Sequence, residues 1–206
     1  HVASREAPMV RRASGGGALV HDNEITYSLA LPASHPHSRG GEELYFAVHT
    51  LLVELLQERF ASVGGRFRLC ERGVPGEPTE PWLCFLRRAR GDVLYEPNGA
   101  PDVGPVTSDG RFKVCGSAQR RRGRAVLQHG GLILGRSAAA PEIPGLAELS
   151  KKPAKFDEIV PEWLSRMVST LGLEVGEPQT SDKLLSAQAD ELAREKIERP
   201  EWNLRR

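Results

Sequence analysis

What the chain has little of excludes several classes of protein. Its 206 residues include only three cysteines and no CxxC pair, so we expect neither a disulfide framework nor a zinc site, and we expect reduced thiols. No apolar run approaches the roughly 18 residues that cross a bilayer. The formal net charge is only +1, which gives no global field for nucleic acid. These absences predict a cytoplasmic protein that binds neither membrane nor nucleic acid.

Size and composition predict one folded unit. Hydrophobic residues make up 39% and charged residues 27% of the chain, as in globular proteins, and the length suits one well-buried core. The sequence has no internal repeat and no low-complexity segment. We therefore predict a single domain over residues 1–206. Because the chain begins with His1 rather than Met, residues 1–9 do not enter the fold prediction.

Hydrophobic periodicity predicts an α+β fold. Residues 18–32 alternate and are rich in β-formers, which predicts a two-strand hairpin with its turn at residues 22–24. The strands come in hairpin-like groups and the helices stand apart, a pattern typical of a largely antiparallel sheet covered by helices. Further strands are predicted at 66–71, 82–86, 92–96, 112–115 and 124–134, with a turn at 116–123 and loops at 97–109 and 138–153. A helix of about five turns is predicted from Leu44 until Gly64 and Gly65 stop it, and two more at 159–171 and 185–197.

A glycine loop near the start of the chain is a candidate binding element. Ser14 is followed by Gly15, Gly16 and Gly17, just after Arg12 and just before the β-type run. Glycine allows positive φ and close approach of another group. Such a turn directs several N–H groups one way, which suits an anion or a polarised carbonyl, and the arginine adds positive charge. Taken alone, the loop is equally a linker or a tight turn.

Three stretches in order carry a family resemblance. The stretch RRASGGGALVHDNEITYSLALP resembles the opening signature of the biotin/lipoate protein ligase superfamily, in its lipoate and octanoate branch. FKVCGSAQRRRGRAVLQHGGLIL and the closing ELAREKIERPEWNLRR are similar to later parts of the same family. The resemblance covers nearly the whole chain from Val10 onward and implies that family's catalytic domain. Family members usually place a helix and strands ahead of the Arg-Arg motif, so the resemblance implies that this segment, one wall of the acyl pocket, is missing here.

Lys113 is a candidate catalytic residue. It lies in an apolar strand just before Gly116, Ser117 and Ala118, small residues that permit close approach of a ligand. On position alone it is more often a strand lysine whose charged end reaches solvent. The resemblance implies that the lysine of KxxGSAxR contacts the acyl carbonyl and, in ligases, the adenylate phosphate, where a fixed charge stabilises developing negative charge.

Cys84 separates the possible activities. A cysteine between apolar residues is usually a small buried hydrophobe. However, octanoyltransferases of the LipM type resemble this chain here, with a Cys-Phe pair between the first helix and the lysine motif, and that resemblance implies that Cys84 takes the acyl group as a thioester. Positive charge from Lys113 or Arg12 would favour the reactive thiolate. Cys70 and Cys115 have no such match.

Several polar residues are expected near the acyl or nucleotide site. The resemblance at VHD and QHG implies this position for His21 and for Gln128, His129 and Gly130, with no sign of metal ligation. Taken singly, each histidine is more often structural or exposed. Asp92 resembles the aspartate that precedes the lysine strand in adenylating members, although the connection to the lysine looks longer here.

The activity that the resemblance implies is acyl transfer onto protein. An octanoyl or lipoyl group would pass from acyl carrier protein, through a Cys84 thioester, to the lysine of a lipoyl domain of a 2-oxoacid dehydrogenase or of the glycine cleavage H protein, with no cofactor. The first alternative is a lipoate–protein ligase that uses ATP and magnesium to form an acyl adenylate, with Lys113 at the phosphate. The second is a non-catalytic protein that binds acyl chains or lipoyl domains.

A run of arginines suggests how an acidic carrier would dock. By default such a run is a solvated turn of like charges. In the family, acyl carrier protein and lipoyl domains are acidic, so the resemblance implies a landing patch for them. The residues are Arg120, Arg121, Arg122 and Arg124.

Overall fold

The strands of the described residues form one antiparallel sheet in the order β1-β5-β4-β3-β2. The structure is a computed structural model that describes residues 1–12, 17–60, 64–72, 81–99, 109–176 and 183–204. The predicted α+β class is confirmed. The strands are β1 (Glu24–Pro32), β2 (Gly65–Leu69), β3 (Val93–Pro97), β4 (Phe112–Arg122) and β5 (Ala125–Ile133). The helices are α1 (Glu43–Phe60), α2 (Leu146–Ser150), α3 (Phe156–Leu171), α4 (Lys183–Leu192) and α5 (Pro200–Asn203).

Helices α1 and α3 cover one face of the sheet. Their apolar residues recur every three or four positions, so each helix presents one stripe to the strands. Trp163 of α3 is 2% exposed, and its Nε1 donates to the Val48 carbonyl of α1 at 3.3 Å. Each fully buried large apolar side chain contributes about 1.5–3 kcal/mol. The buried apolar residues of the two helices are Leu44, Val48, Leu52, Leu55, Leu56, Phe60, Ile159, Trp163, Met167 and Leu171.

A second, smaller apolar cluster lies around the segment that carries Cys84. Leu83 and Phe85 pack there with Ile133 of β5 and with residues 18–20. Adjacent residues of a strand point to opposite faces, and the neighbouring Leu132 belongs to the helix-covered core. The second cluster therefore lies on the sheet face opposite α1 and α3.

The prediction of a hairpin over residues 18–32 is wrong in its first strand. β1 begins only at Glu24, and Ala18 instead forms an isolated parallel bridge with Leu83. Ala18 N donates to Trp82 O at 3.0 Å, and Cys84 N donates to Ala18 O at 2.8 Å. The strand predicted at residues 82–86 is likewise wrong, because Cys84–Leu86 is a 3-10 turn. The apolar run is buried by the second cluster rather than by strand pairing.

The turn predicted at residues 116–123 is also wrong. β4 continues through Arg122, and the chain turns at Gly123, which has φ +56°. Gly116 and Ser117 pair with Gly131 and Gly130 of β5, so the small residues lie inside the sheet. The loop predicted at 138–153 contains the short helix α2. Most of the loop predicted at 97–109 lies outside the described residues.

The three long helices are confirmed where the periodicity placed them. α1 and α3 span the predicted ranges, and α3 ends at Gly172, whose φ of +61° is the left-handed cap expected of glycine. The last predicted helix is α4, continued by a π turn over Ala193–Ile197. Among the residues that the structure describes, no helix is both long and apolar enough to cross a bilayer.

Candidate active site

The structure brings Cys84 and Lys113 together. Lys113 projects from β4 and is 6% exposed, and its Nζ lies 4.0 Å from the Sγ of the partly buried Cys84. The same Nζ lies 5.5 Å from the centroid of the Phe85 ring. The site thus places a positive charge beside a sulfur that could act as a nucleophile. The two residues with predicted catalytic roles therefore form one site.

Asp92 fixes the ammonium group of Lys113. Its Oδ2 lies 2.8 Å from Lys113 Nζ and also accepts from Ala89 N at 2.6 Å. Its Oδ1 accepts from the Tyr45 hydroxyl at 2.7 Å. The carboxylate is thus held from three directions, and Asp92 is only 1% exposed. A buried charge needs such partners, and here they leave the carboxylate with a fixed orientation.

Gly116 leaves the space that the Lys113 side chain occupies. A Cβ at Gly116 would lie 2.3 Å from Lys113 Cε, 2.7 Å from its Nζ and 3.1 Å from Asp92 Oδ1. Any side chain there would displace the ammonium group. The glycine inside β4 therefore serves a close approach rather than a turn.

The end of the glycine loop lies against Cys84. A Cβ at Gly17 would lie 2.8 Å from Trp82 O and 3.1 Å from Cys84 N, so the two backbones are in contact. Arg12 Nη2 donates to Gly17 O at 3.2 Å, which holds that arginine beside the loop. The other predicted loop residues, Ser14, Gly15 and Gly16, lie outside the described residues.

A chain of buried polar side chains lies behind the site, on the α1 side of the sheet. His49 Nδ1 is 2.7 Å from Gly91 O, and because a carbonyl only accepts, Nδ1 carries the proton and Nε2 accepts. Ser117 Oγ, 2.7 Å away, donates to Nε2. The Tyr27 hydroxyl then donates to Ser117 Oγ at 2.5 Å and accepts from Gln128 Nε2 at 2.8 Å.

Gln119 is the last member of this row of hydrogen-bonded side chains, and all of the hydrogen bonds in the row run in one order. Gln119 Nε2 donates to Gln128 Oε1 at 2.8 Å. Each group therefore donates to the next group in the row, and the last acceptor is the Gly91 carbonyl. The predicted binding residues Ser117 and Gln128 turn their side chains to this row rather than to Cys84, so they support the site from behind.

Burial keeps these groups in their neutral forms. Burial lowers the pKa of His49 to about 4, against the smaller opposing effects of the Gly91 carbonyl and Asp92. Burial also raises the pKa of the Tyr27 and Tyr45 hydroxyls, and for Tyr45 the nearby Asp92 charge adds to it. Burial raises the pKa of the Cys115 thiol as well, so that cysteine remains a protonated core residue.

The remaining predicted residues are distributed over both faces of the sheet. Ala118 pairs with His129 on the face of Gly116 and Lys113, and burial, Arg12 and His21 all lower the pKa of His129. His21 is exposed and bonds to Glu24, so it lies at the rim. Gly130 belongs to the other face, where an added Cβ would lie 2.2 Å from Ser117 Oγ.

Sequence reasoning missed Tyr45, His49 and Tyr27. For His49 the sequence contains a signal, because this histidine stands at a core position of an otherwise apolar helix stripe, between Val48 and Leu52. A histidine buried at such a position needs hydrogen-bond partners for both nitrogens. For Asp92 the sequence offers only the family resemblance, because residue spacing does not express its contact with Lys113.

The closing motif of the chain reaches the Arg-Arg motif. Trp202 Nε1 donates to Arg11 O at 2.7 Å, and Arg11 N donates to Asn203 Oδ1 at 2.7 Å. Both backbone polar groups of Arg11, next to Arg12, are thus bound by α5. Among the described residues, no group of three or more His, Cys, Asp or Glu side chains could hold a metal ion, and Cys70, Cys84 and Cys115 are free thiols.

Proteins with sequences similar to this chain are named octanoyltransferase LipM. One from Geobacillus kaustophilus is 30% identical over 218 residues, covering 96% of this chain and 74% of the relative. One from Halalkalibacterium halodurans is 25% identical over 227 residues, covering 100% of this chain and 77% of the relative. Both matches extend over nearly all of this chain.

Solved structures share the fold. A lipoate protein ligase from T. acidophilum with bound lipoic acid matches with a TM-score of 0.63 at 19% identity, over 95% of this chain and 71% of that one. A lipoate-protein ligase A bound with ATP matches with a TM-score of 0.64 at 18% identity, over 95% of this chain and 71% of that one. The family model of the lipoyl protein ligase A/B catalytic domain matches residues 1–188. The resemblance read from the three motifs is therefore confirmed, and the chain belongs to the lipoyl protein ligase A/B catalytic domain family.

Proposed function

We propose that this protein is an octanoyltransferase of lipoate metabolism that carries the acyl group on Cys84. Octanoyl transfer rests on the LipM relatives, which match nearly the whole chain. The covalent route rests on one observation, the 4.0 Å distance between Lys113 Nζ and Cys84 Sγ. A ligase that activates a free acid with ATP has no use for a thiol at that point.

The first step is exchange of one thioester for another. The Cys84 thiolate attacks the carbonyl carbon of an octanoyl thioester, and negative charge develops on the carbonyl oxygen. The ammonium group of Lys113, fixed by Asp92, stabilises that charge. The carbon–sulfur bond to the donor then breaks, and the donor thiolate takes up the proton that the Cys84 thiol gave up. Octanoyl-Cys84 and a free donor thiol result.

The second step passes the group to an amine. The uncharged ε-amino group of an acceptor lysine attacks the octanoyl-Cys84 carbonyl, an amide bond forms, and the Cys84 thiolate leaves. The amine loses one proton, which is taken up by the leaving Cys84 thiolate or by a base in the solvent. Lys113 stabilises the second tetrahedral species as it did the first. No oxidant, nucleotide or metal ion enters either step.

We further propose acyl carrier protein as the octanoyl donor and a lipoyl domain as the acceptor. A solved neighbour, the bi-partite lipoate protein ligase of Thermoplasma acidophilum, was studied with its E2 lipoyl domain. Arg122 and Arg124 are exposed at the end of the β4–β5 hairpin, where an acidic carrier would meet them. Arg121 is different, because its guanidinium donates to Ser38 O and Gly40 O and so supports the fold. The free thiols suit the reducing cytoplasm.

The test compares donors on the parent protein and on Cys84→Ser. The acceptor is a lipoyl domain followed by intact-mass spectrometry, with either octanoyl-carrier protein or free octanoate plus ATP and Mg²⁺ as donor. We expect the parent to use octanoyl-carrier protein and to gain one octanoyl group on Cys84, and we expect Cys84→Ser to lose transfer. Cys70→Ser, which removes another buried thiol, serves as the matched control and should retain it.

Other results would assign another function. Strong ATP-dependent modification that survives Cys84→Ser would contradict the transferase and support the lipoate–protein ligase. A folded parent protein that modifies the lipoyl domain with neither donor would support a binding protein without turnover.

A further inference from the structure

Helix α1 presents two polar side chains to the turn that carries Asp92. Tyr45 and His49 lie four residues apart, and their ring centroids are 4.2 Å apart. Gly91 has φ +88°, and a Cβ there would lie 2.8 Å from the Tyr45 ring. The turn therefore fits closely against the two rings, in a conformation that favours glycine.

Each of the two side chains holds both the Asp92 turn and Ser117 of β4. The Tyr45 hydroxyl donates to Asp92 Oδ1 at 2.7 Å and accepts from Ser117 N at 3.2 Å. His49 donates to Gly91 O and accepts from Ser117 Oγ, both at 2.7 Å. The helix thus connects the end of the turn to the strand that carries Lys113 through four hydrogen bonds.

These bonds fix the Asp92 turn relative to β4, and the separation between turn and strand decides the position of the Lys113 ammonium group. Lys113 is four residues before Ser117 on β4, and its partner Asp92 follows Gly91. If the turn moved relative to β4, the 2.8 Å contact between Asp92 Oδ2 and Lys113 Nζ would lengthen and the charge would leave Cys84. A misplacement of about 1 Å in a reacting group can cost about 10²-fold in rate.

We propose that Tyr45 and His49 are positioning residues that act through Asp92 to hold the ammonium group of Lys113 beside Cys84. This inference rests on the proposed function, in which that charge serves the acyl transfer. Their polar contacts described above are with Gly91, Asp92 and Ser117. Their role is to keep the turn and β4 at one separation, so that the charge is in place before substrate arrives.

The experiment is a double-mutant cycle with Tyr45→Phe, Asp92→Asn and the two combined. Tyr45→Phe removes one hydroxyl and keeps the ring. We expect it to lower kcat for octanoyl transfer about tenfold and to leave KM for the donor within about twofold. In the Asp92→Asn background the same change should lower kcat by less than about twofold, because the group through which Tyr45 acts is already lost.

A second readout needs no substrate. Iodoacetamide alkylates thiolates, and peptide mapping by mass spectrometry reports the rate at Cys84 alone. Tyr45→Phe should slow that alkylation about threefold or more, and the effect should again disappear in the Asp92→Asn background. If the protein proves not to transfer octanoate, this measurement still decides whether Tyr45 positions the charge.

Tyr95→Phe is the matched control. Tyr95 is 2% exposed on β3 and belongs to the helix-covered core, so the change removes a buried tyrosine hydroxyl away from Asp92. The control should leave kcat and alkylation at parent values. Should Tyr45→Phe fail to fold, the same cycle with His49→Phe removes the second contact to the turn. Equal behaviour of the folded variant and the Tyr95 control, or full additivity with Asp92→Asn, would overturn the proposal.

Discussion

Lys113 and the Gly17 backbone reach Cys84 from two directions, and different kinds of contact hold them. Lys113 is buried, paired with a buried carboxylate and supported by side chains of α1. Gly17 contacts Cys84 through backbone, and Arg12 beside it is partly exposed and donates to Gly17 O at 3.2 Å. The first side derives from core packing and the second from contacts near the surface.

The difference separates two tasks of the site. A charge that stabilises an oxyanion must be in place before the reaction, and burial provides this at the cost of satisfying every polar group nearby. In the proposed transfer, contact with the long acyl group would fall to the Gly17 side, where a partly exposed hydrogen bond contributes little free energy. Changes on the Lys113 side should therefore affect kcat, and changes on the Gly17 side should affect KM.

The largest expected effect is loss of the charge itself. Lys113→Ala should lower kcat for octanoyl transfer by about 10²–10³-fold, as typically follows removal of one oxyanion donor. Steady-state kinetics with octanoyl-carrier protein measures it. Lys155→Ala, at an exposed lysine before α3, is the control and should match the parent. Transfer by Lys113→Ala within tenfold of the parent would remove the lysine from the mechanism.

The buried side should also make stability depend on pH. The pKa of His49 is about 4 in the folded state against 6.5 for a free histidine, so between these values the unfolded chain binds more protons. Stability should be full above pH 6.5 and fall as pH decreases toward 4. At ~1.4 kcal/mol per pKa unit, about 2 kcal/mol should be lost between roughly pH 7.5 and 5. Urea unfolding at both values measures it, and a smaller loss in His49→Gln would assign it to His49.

The next effect tests how tightly Lys113 is placed. In Gly116→Ala the new methyl group collides with the far end of a flexible side chain, so the fold should adapt and the ammonium group should move. We expect kcat to fall about 10–100-fold, while the melting temperature changes by only a few degrees. Gly99→Ala is the control, because nothing lies within 4 Å of its added Cβ. A parent-like kcat in Gly116→Ala would mean that the exact position of the charge is unimportant.

The smallest expected effect on transfer comes from a change on the Gly17 side of Cys84. Asn203→Ala removes the acceptor of Arg11 N and should loosen the segment that carries Arg12. Since one exposed hydrogen bond contributes about 1 kcal/mol, KM for the octanoyl donor should rise about threefold to fivefold with kcat unchanged. Asn98→Ala, which also changes an exposed asparagine, serves as the control. A fall in kcat instead would show that both sides serve the same task.

Periodicity predicted the parts of the fold that one amphipathic stripe determines. α1 and α3 bury a regular stripe against the sheet, and their ranges follow from spacing alone. Residues 18–20 and 82–86 are apolar for another reason, because they meet each other and Ile133 in the second cluster. A short apolar run looks the same whether strand pairing or a side-chain cluster buries it. The sequence therefore predicts strands in both segments, and these strands do not form.

The site shows the same limit. The family resemblance predicted Lys113 and Cys84, but Gly116 and Ser117 suggested a turn because small residues are common in turns. In the structure Gly116 makes room for the Lys113 side chain on the same strand, and Ser117 contacts His49 of α1. Contacts of Tyr45 and His49 with Asp92 and Gly91 join residues more than forty positions apart, which no local pattern expresses.

The row of hydrogen bonds from Gln119 to Gly91 also determines where its protons lie. The Gly91 carbonyl only accepts, so the proton of His49 is on Nδ1, and Ser117 and Tyr27 each give their one hydroxyl proton to the next group. The Tyr27 oxygen is then left to accept from Gln128 Nε2. One backbone carbonyl next to Asp92 therefore sets the proton arrangement of neutral side chains on α1, β4, β1 and β5.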